Sequence, residues 1–149
     1  MKCKIQTLFL ILISAIFSLT CVVACQKSDG AYQAEVLQST ESVVVIRVDE
    51  TDGKATLYDI MCTLKENGKL DFVSENSAYG QSIVSINGVE NPADWSYYWA
   101  SYTTDSQNGI VEQKQVVDGV EWYYAMAGIS SLKVKAGCSY KFQYEKSSY

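Results

Sequence analysis

The residue most often used for catalysis is missing from this sequence, and the residues best suited to holding a ligand are rings. None of the 149 residues is histidine, which removes the commonest general base and every Ser-His or Cys-His nucleophile pair. Gly128-Ile129-Ser130-Ser131 lacks the second glycine of a nucleophile elbow, and no glycine-rich phosphate loop is present. Cys62 and Cys138 are too far apart for a CxxC metal or redox motif. Asp49, Glu50 and Asp52 gather near one turn; they read as a solvated acidic turn, with weak Ca²⁺ binding as the alternative. These features point away from an enzyme, and neither a cofactor nor a metal site is expected.

The aromatic side chains are more promising, with eleven Tyr and three Trp. Trp95 follows Asn91-Pro92-Ala93-Asp94 in a loop, where a large ring is hard to bury completely. Trp99 falls within an aromatic strand, and Trp122 opens the run Trp122-Tyr123-Tyr124. Rings left on an uncovered sheet face can pack on each other or stack on a flat ligand. Trp95, Tyr97, Trp99 and Trp122 are therefore the candidate ligand-binding residues. Trp99, Tyr98, Phe142 and Tyr144 read first as core, whereas Trp95, Tyr97 and Trp122 read equally as core or as ligand-facing.

The elements that must position these rings follow from local pattern. Gln26 to Glu41 is polar and rich in small residues, so it reads as a tether in which Ala34 to Gln38 could form a helical turn. Ser42 to Asp49, with β-branched residues at 43–46 and 48, predicts the first strand, and Asp52-Gly53 a turn. Thr56 to Asn67 predicts one amphipathic helix. Thr56 caps it with Asp59 as capping-box partner, and Leu57, Ile60, Met61 and Leu64 form its apolar stripe. Cys62 falls off that stripe and is expected outside the core. Leu70 to Val73 and Ser82 to Ile86 are short strands, Asn87-Gly88 is a turn, and Val89 to Ser96 is a loop around the single proline, Pro92. Tyr97 to Thr103 predicts a strand with Tyr97 and Trp99 on one face and Tyr98 and Tyr102 on the other. Ile110 to Val117 and Val120 to Tyr124 flank Asp118-Gly119 as a hairpin would. In the last strand Tyr140, Phe142 and Tyr144 alternate with Lys141, Gln143 and Glu145, the pattern of a half-buried strand. The expected class is α+β: one amphipathic helix packed on a mixed, mostly antiparallel sheet of about six short strands.

The N-terminus has three parts. Lys2 and Lys4 are basic, Leu8 to Leu19 is continuously apolar, and Val22-Val23-Ala24-Cys25 places a small residue before cysteine. That resembles the lipobox of bacterial lipoproteins, which implies cleavage after residue 24, lipidation of Cys25 and a domain anchored outside the cytoplasm. An uncleaved anchor helix over Ile5 to Ala24 is the alternative, and it too leaves the remainder outside. The anchor would sit in the outer face of the plasma membrane, or in an outer membrane where the host has one. The net charge of −5 falls to about −7 when two lysines leave with the leader, and an acidic domain repels nucleic acid. Beyond Cys25, only Cys62 and Cys138 remain in the exported part. They form either one disulfide or two free thiols, and an oxidising compartment favours the bridge. Closing a loop of about 75 residues would stabilise the fold by about 4–5 kcal/mol.

A further resemblance rests on the order of short motifs. Thr56-Leu57-Tyr58-Asp59-Ile60-Met61 is followed by Gly68-Lys69-Leu70, then by the run Ile83 to Val89. Tyr98-Trp99, the Gly128 segment, and Lys135-Ala136-Gly137 with Tyr140, Phe142 and Tyr144 complete the series. Over about Ser42 to Glu145 this is similar to the C-terminal domain of transcobalamin and intrinsic factor, as it recurs in bacterial surface and lipoprotein chains. The resemblance implies a β-grasp-like fold at 42–149 behind a leader at 1–24 and a lipidated tether at 25–41. It also implies a soluble ligand, cobalamin or another corrinoid among the options; a lipoprotein that binds such a small molecule and hands it to a transporter is the first expectation for function. The chain lacks the helical barrel that closes over cobalamin in those carriers, and it has no His to coordinate cobalt. An adhesion or envelope module that binds a protein, peptide or glycan is the alternative function, and a structural spacer a third.

Overall fold

The computed structural model describes residues 31–148; the leader and Cys25 lie outside the described residues. Along the chain run β1 (Tyr32–Ser39), β2 (Val43–Thr51), α1 (Leu57–Glu66), β3 (Phe72–Ser77), β4 (Gly80–Ile86), β5 (Val89–Glu90), β6 (Tyr97–Thr103), β7 (Gly109–Val117), β8 (Val120–Ala125) and β9 (Ser139–Lys146). A six-stranded sheet has the order β1-β2-β9-β6-β8-β7, and a second sheet has the order β3-β4-β5. Every neighbouring pair in both is antiparallel.

This corrects the expected α+β, β-grasp-like class. Strand makes up 54 % of the structure and helix 8 %, so the fold is mostly β with two antiparallel sheets. The largest single reason is β1, which occupies residues expected to be tether. Its Tyr32, Ala34 and Val36 alternate inward against exposed Gln33, Glu35 and Leu37, and the strand pairs with β2 along its length. The period of two was present there, hidden by a polar and small-residue composition.

Local physics shaped most other elements as expected. Thr56 caps α1: its hydroxyl accepts from Asp59 N at 3.2 Å, and Asp59 Oδ2 accepts from Thr56 N at 2.7 Å. Two turns, Asn87-Gly88 (φ 50° and 78°) and Asp118-Gly119 (φ 51° and 79°), have both central residues left-handed, as tight β-hairpins require. No described helix is long and apolar enough to cross a membrane.

The main core lies on one face of the large sheet, where Val44, Ile46, Val48, Tyr140, Phe142 and Trp99 meet α1, β3, β4 and the segment from Ile129 to Val134. Fully burying each of the aliphatic or aromatic members contributes roughly 1.5–3 kcal/mol. α1 is covered on more than its stripe, because Tyr32 of β1 reaches it and its hydroxyl bonds Asp59 O and Thr63 Oγ1. Cys62, expected outside the core, is fully buried. Cys138 carries a free thiol, so the expected Cys62–Cys138 bridge does not form.

β9 departs from the half-buried pattern. Tyr140 and Phe142 are fully buried, and so, nearly, is Lys141 between them, at 5 % exposure. The second face of the sheet is therefore covered too. The cause is curvature: the β1–β2 register slips at Gln33/Ala34 and Val36/Gln38, and the β7–β8 register slips between Ile110 and Lys114. Irregularities in both outer strand pairs bend the sheet, until Leu37 and Gln38 near the end of β1 and Val117, Asp118 and Val120 at the β7–β8 tip line one hollow.

Candidate functional site

The concave face of the large sheet is built by strict alternation. β6 contributes Tyr98, Ala100 and Tyr102, β8 contributes Trp122 and Tyr124, β2 contributes Val43 and Val45, and β9 contributes Lys141. Register then sets the pairs: Tyr102 lies opposite Lys141 and Tyr124, and Tyr98 opposite Glu145. The rings of Tyr102 and Tyr124 meet edge to face at 5.5 Å and 84°, the arrangement that aromatic quadrupoles favour.

Two polar groups lie among these rings. The Glu145 carboxylate accepts from Tyr98 Oη at 3.1 Å and from Tyr102 Oη at 3.1 and 3.0 Å. Burial, reinforced by this carboxylate and by Tyr124, pushes the Tyr98 and Tyr102 hydroxyls well above the ordinary phenol range, so both remain donors. Lys141 Nζ stands 4.7 Å from the Tyr102 ring centroid and 5.0 Å from that of Trp122. Burial lowers its pKa, and Glu145 partly opposes the shift.

Two hollows open on this face. One of about 570 Å³ is lined by Trp95, Tyr98, Ile110, Gln113 and Tyr124, with Ser147 and Ser148 at its end. The other, of about 400 Å³, contains Trp122 and Lys141. Both volumes fall in the range of small-molecule sites.

The four candidate rings are divided by the sheet. Trp95 and Trp122 belong to the concave face, one to each hollow. Trp95 is 54 % exposed and is held at φ 54°, a left-handed backbone that a bulky side chain rarely adopts. Trp99 is on the opposite face, 6 % exposed, with Nε1 donating to Val89 O at 2.9 Å; it is core. Tyr97 shares that opposite face, half exposed and stacked on Tyr144 at 5.5 Å and 19°. Sequence reasoning missed Lys141 and Glu145 as members of the site, along with Tyr124 and Leu37. The alternation in β9 puts Lys141 and Glu145 on one face, but it carries no sign that this face is covered.

Other reactive groups are engaged elsewhere. Burial, with Asp105 nearby, raises the Cys138 thiol pKa, which keeps it from being an activated nucleophile. Asp105 accepts from Gln107 N and Asn108 Nδ2 and lies 3.7 Å from Lys135 Nζ. In the acidic turn Asp49 pairs with Arg47 at 2.8 Å and Asp52 with Lys54 at 3.9 Å, and Glu50 accepts from Gln33. No group of three metal-ligating side chains occurs among the described residues. The arrangement suits recognition, in which rings offer area and the Tyr98 and Tyr102 oxygens, their protons held by Glu145, offer fixed acceptors. No family model matches the chain, and no curated protein matches it.

Proposed function

We propose that this chain is a non-enzymatic binding module, anchored outside the cytoplasm through lipid on Cys25, that holds a small ligand against the concave aromatic face of its large sheet and presents it to a transporter. Trp95 carries the reading. A ring more than half exposed, on a strained left-handed backbone, forms one wall of a hollow beside Tyr98 and Tyr124. Strain of this kind persists where surrounding structure enforces it, and it concentrates at sites of function. Nothing in this support depends on a corrinoid, and a flat or amphipathic ligand of any class fits it.

The test is native mass spectrometry of the purified protein together with Trp95→Ala. The native protein should carry a small molecule that the variant loses, while the melting temperature stays almost unchanged. A fall of several degrees would mean that Trp95 is structural and that the site is misassigned.

A second reading has its own support. β7 is an outer strand of the sheet, and it exposes Val111 at 54 % and Val116 at 62 %. An uncovered edge with apolar side chains suits strand addition by a partner protein. Crosslinking to an envelope protein that Val116→Lys abolishes would favour it.

A further inference from the structure

The hollow between the β1 end and the β7–β8 tip holds one feature that packing does not explain. Its walls are mainly apolar, formed by Leu37, Val43, Val45, Val117, Val120 and Trp122, with Gln38, Asp118 and Gln143 beside them, and Lys141 also lines it. Lys141 is 5 % exposed, its backbone is held between β2 and β6, and its ammonium group, which is not sealed from solvent, makes no hydrogen bond or ion pair among the described residues. The carboxylate on its own strand, Glu145, is occupied by Tyr98 and Tyr102. Asp118, the acid among the lining residues, forms no ion pair with it. The flanking rings of Tyr102 and Trp122 attract a cation through their faces, but they accept none of its three N–H donors in the manner of an oxygen. An apolar side chain would fill the same space without the desolvation cost of an ammonium group. A donor-rich cation in a mainly apolar hollow, where Gln38, Asp118 and Gln143 are the other polar lining residues, is the arrangement that recognises one end of a ligand.

We infer that this hollow selects an amphipathic carboxylate, whose apolar body lies on Leu37, Val43, Val45, Val117, Val120 and Trp122 and whose anionic head meets Lys141 Nζ. The inference rests on the concave face being a ligand site, and it adds the ligand's chemical class and the residue that reads it. Chain length enters through the volume, about 400 Å³, which suits a body the size of a phenyl ring with a short aliphatic stem.

Calorimetric titration of the purified full chain with 4-phenylbutyrate, 4-phenylbutanol and 4-phenylbutylamine tests it. The carboxylate should bind at least about tenfold more tightly than the alcohol, a difference of about 1.4 kcal/mol, and the amine more weakly than either. Lys141→Met should bind acid and alcohol equally, while Lys141→Arg should keep the preference for the acid. A readout that needs no variant is acylation of Lys141 by acetic anhydride, followed by peptide mass spectrometry, which 4-phenylbutyrate should slow and 4-phenylbutanol should slow less. Equal binding of acid and alcohol to the native chain, a preference that survives in Lys141→Met, or unslowed acylation would overturn the inference and leave the binding-module reading standing. Binding of none of the three probes would likewise overturn the inference, whereas the binding-module reading falls only if native mass spectrometry finds no small molecule that Trp95→Ala loses.

Discussion

Tyr102 donates its hydroxyl into the fork of the Glu145 carboxylate, 3.1 and 3.0 Å from the two oxygens. Tyr98 donates to the same group at 3.1 Å. One acid of β9 thus fixes two phenols of β6, and the pairs lie across adjacent strands in a register that the backbone sets. The residue one turn of the pleat away on the same face is Gln143, whose amide stands 3.5 Å from Glu145.

Glu145→Gln separates the electrostatic role of this group from its packing role. The raised pKa of Tyr98 and Tyr102 comes first from burial and then from neighbours that include Glu145. Without the negative charge both should titrate at lower pH, though still above free tyrosine, because burial remains. Lys141 moves in the same direction for the opposite reason: Glu145 partly offsets the lowering that burial causes, so its pKa should fall further. Tyrosinate absorbance and the NMR titration of the lysine side chain measure the two shifts. A face that merely loosened would send the phenols down and the lysine up, and that result would refute the assignment.

Tyr140→Phe should change how stability depends on alkaline pH. Tyr140 is fully buried, its hydroxyl accepts from Lys135 N at 2.8 Å, and burial raises its pKa from 10.0 to about 12. The folded phenol therefore keeps its proton to higher pH than the unfolded one. Its contribution is complete below pH 10 and is lost as pH rises to about 12. At neutral pH the variant should be about 1–2 kcal/mol less stable, since the Lys135 N–H loses its acceptor. Above pH 10 that deficit should shrink by an amount on the order of 2 kcal/mol, because phenylalanine has no proton to lose. Urea unfolding at several pH values gives the comparison, and a deficit that does not vary with pH would contradict it.

What could be read from the sequence was what neighbours in the chain decide. The Thr56–Asp59 capping box, the Asn87-Gly88 and Asp118-Gly119 turns and the whole of β6 need only a few adjacent residues to specify them. β1 did not show itself, because its pairing with β2 completes what Tyr32, Ala34 and Val36 only begin. The division of the tryptophans was likewise invisible. Trp95 and Trp99 are four residues apart with similar neighbours, yet pairing of β6 with β9 puts one ring in the core and leaves the other at the rim of a hollow. Lys141 shows the same limit most clearly. Alternation correctly put it opposite Tyr140 and Phe142, but the cover over that face comes from a bend written into the register slips of distant strand pairs. The Cys62–Cys138 expectation failed on the same ground, since compartment and count say nothing about where the two side chains stand.

Gly109→Ala tests whether the concave face depends on one close approach at its rim. Gly109 opens β7 opposite Ala125, next to Ile110, which lines the larger hollow. A methyl group there would overlap Tyr123 Cβ, stand 3.1 Å from its Cγ and 3.4 Å from Asp105 O. Neither strand can retreat without opening the β7–β8 pairing, so the substitution should cost about 1–3 kcal/mol. It should also weaken ligand binding, because Ile110 and Tyr124 face each other across the displaced ladder. Gly119→Ala is the control: its φ of 79° strains an alanine, but nothing lies within 4 Å of the added carbon. That change should cost only about 1 kcal/mol, without effect on binding in the larger hollow, which the β7–β8 tip does not line. Thermal melts and a ligand titration on both variants decide the matter. If Gly109→Ala proves as mild as Gly119→Ala on both measures, the rim tolerates movement and the hollow is not held in shape by this contact.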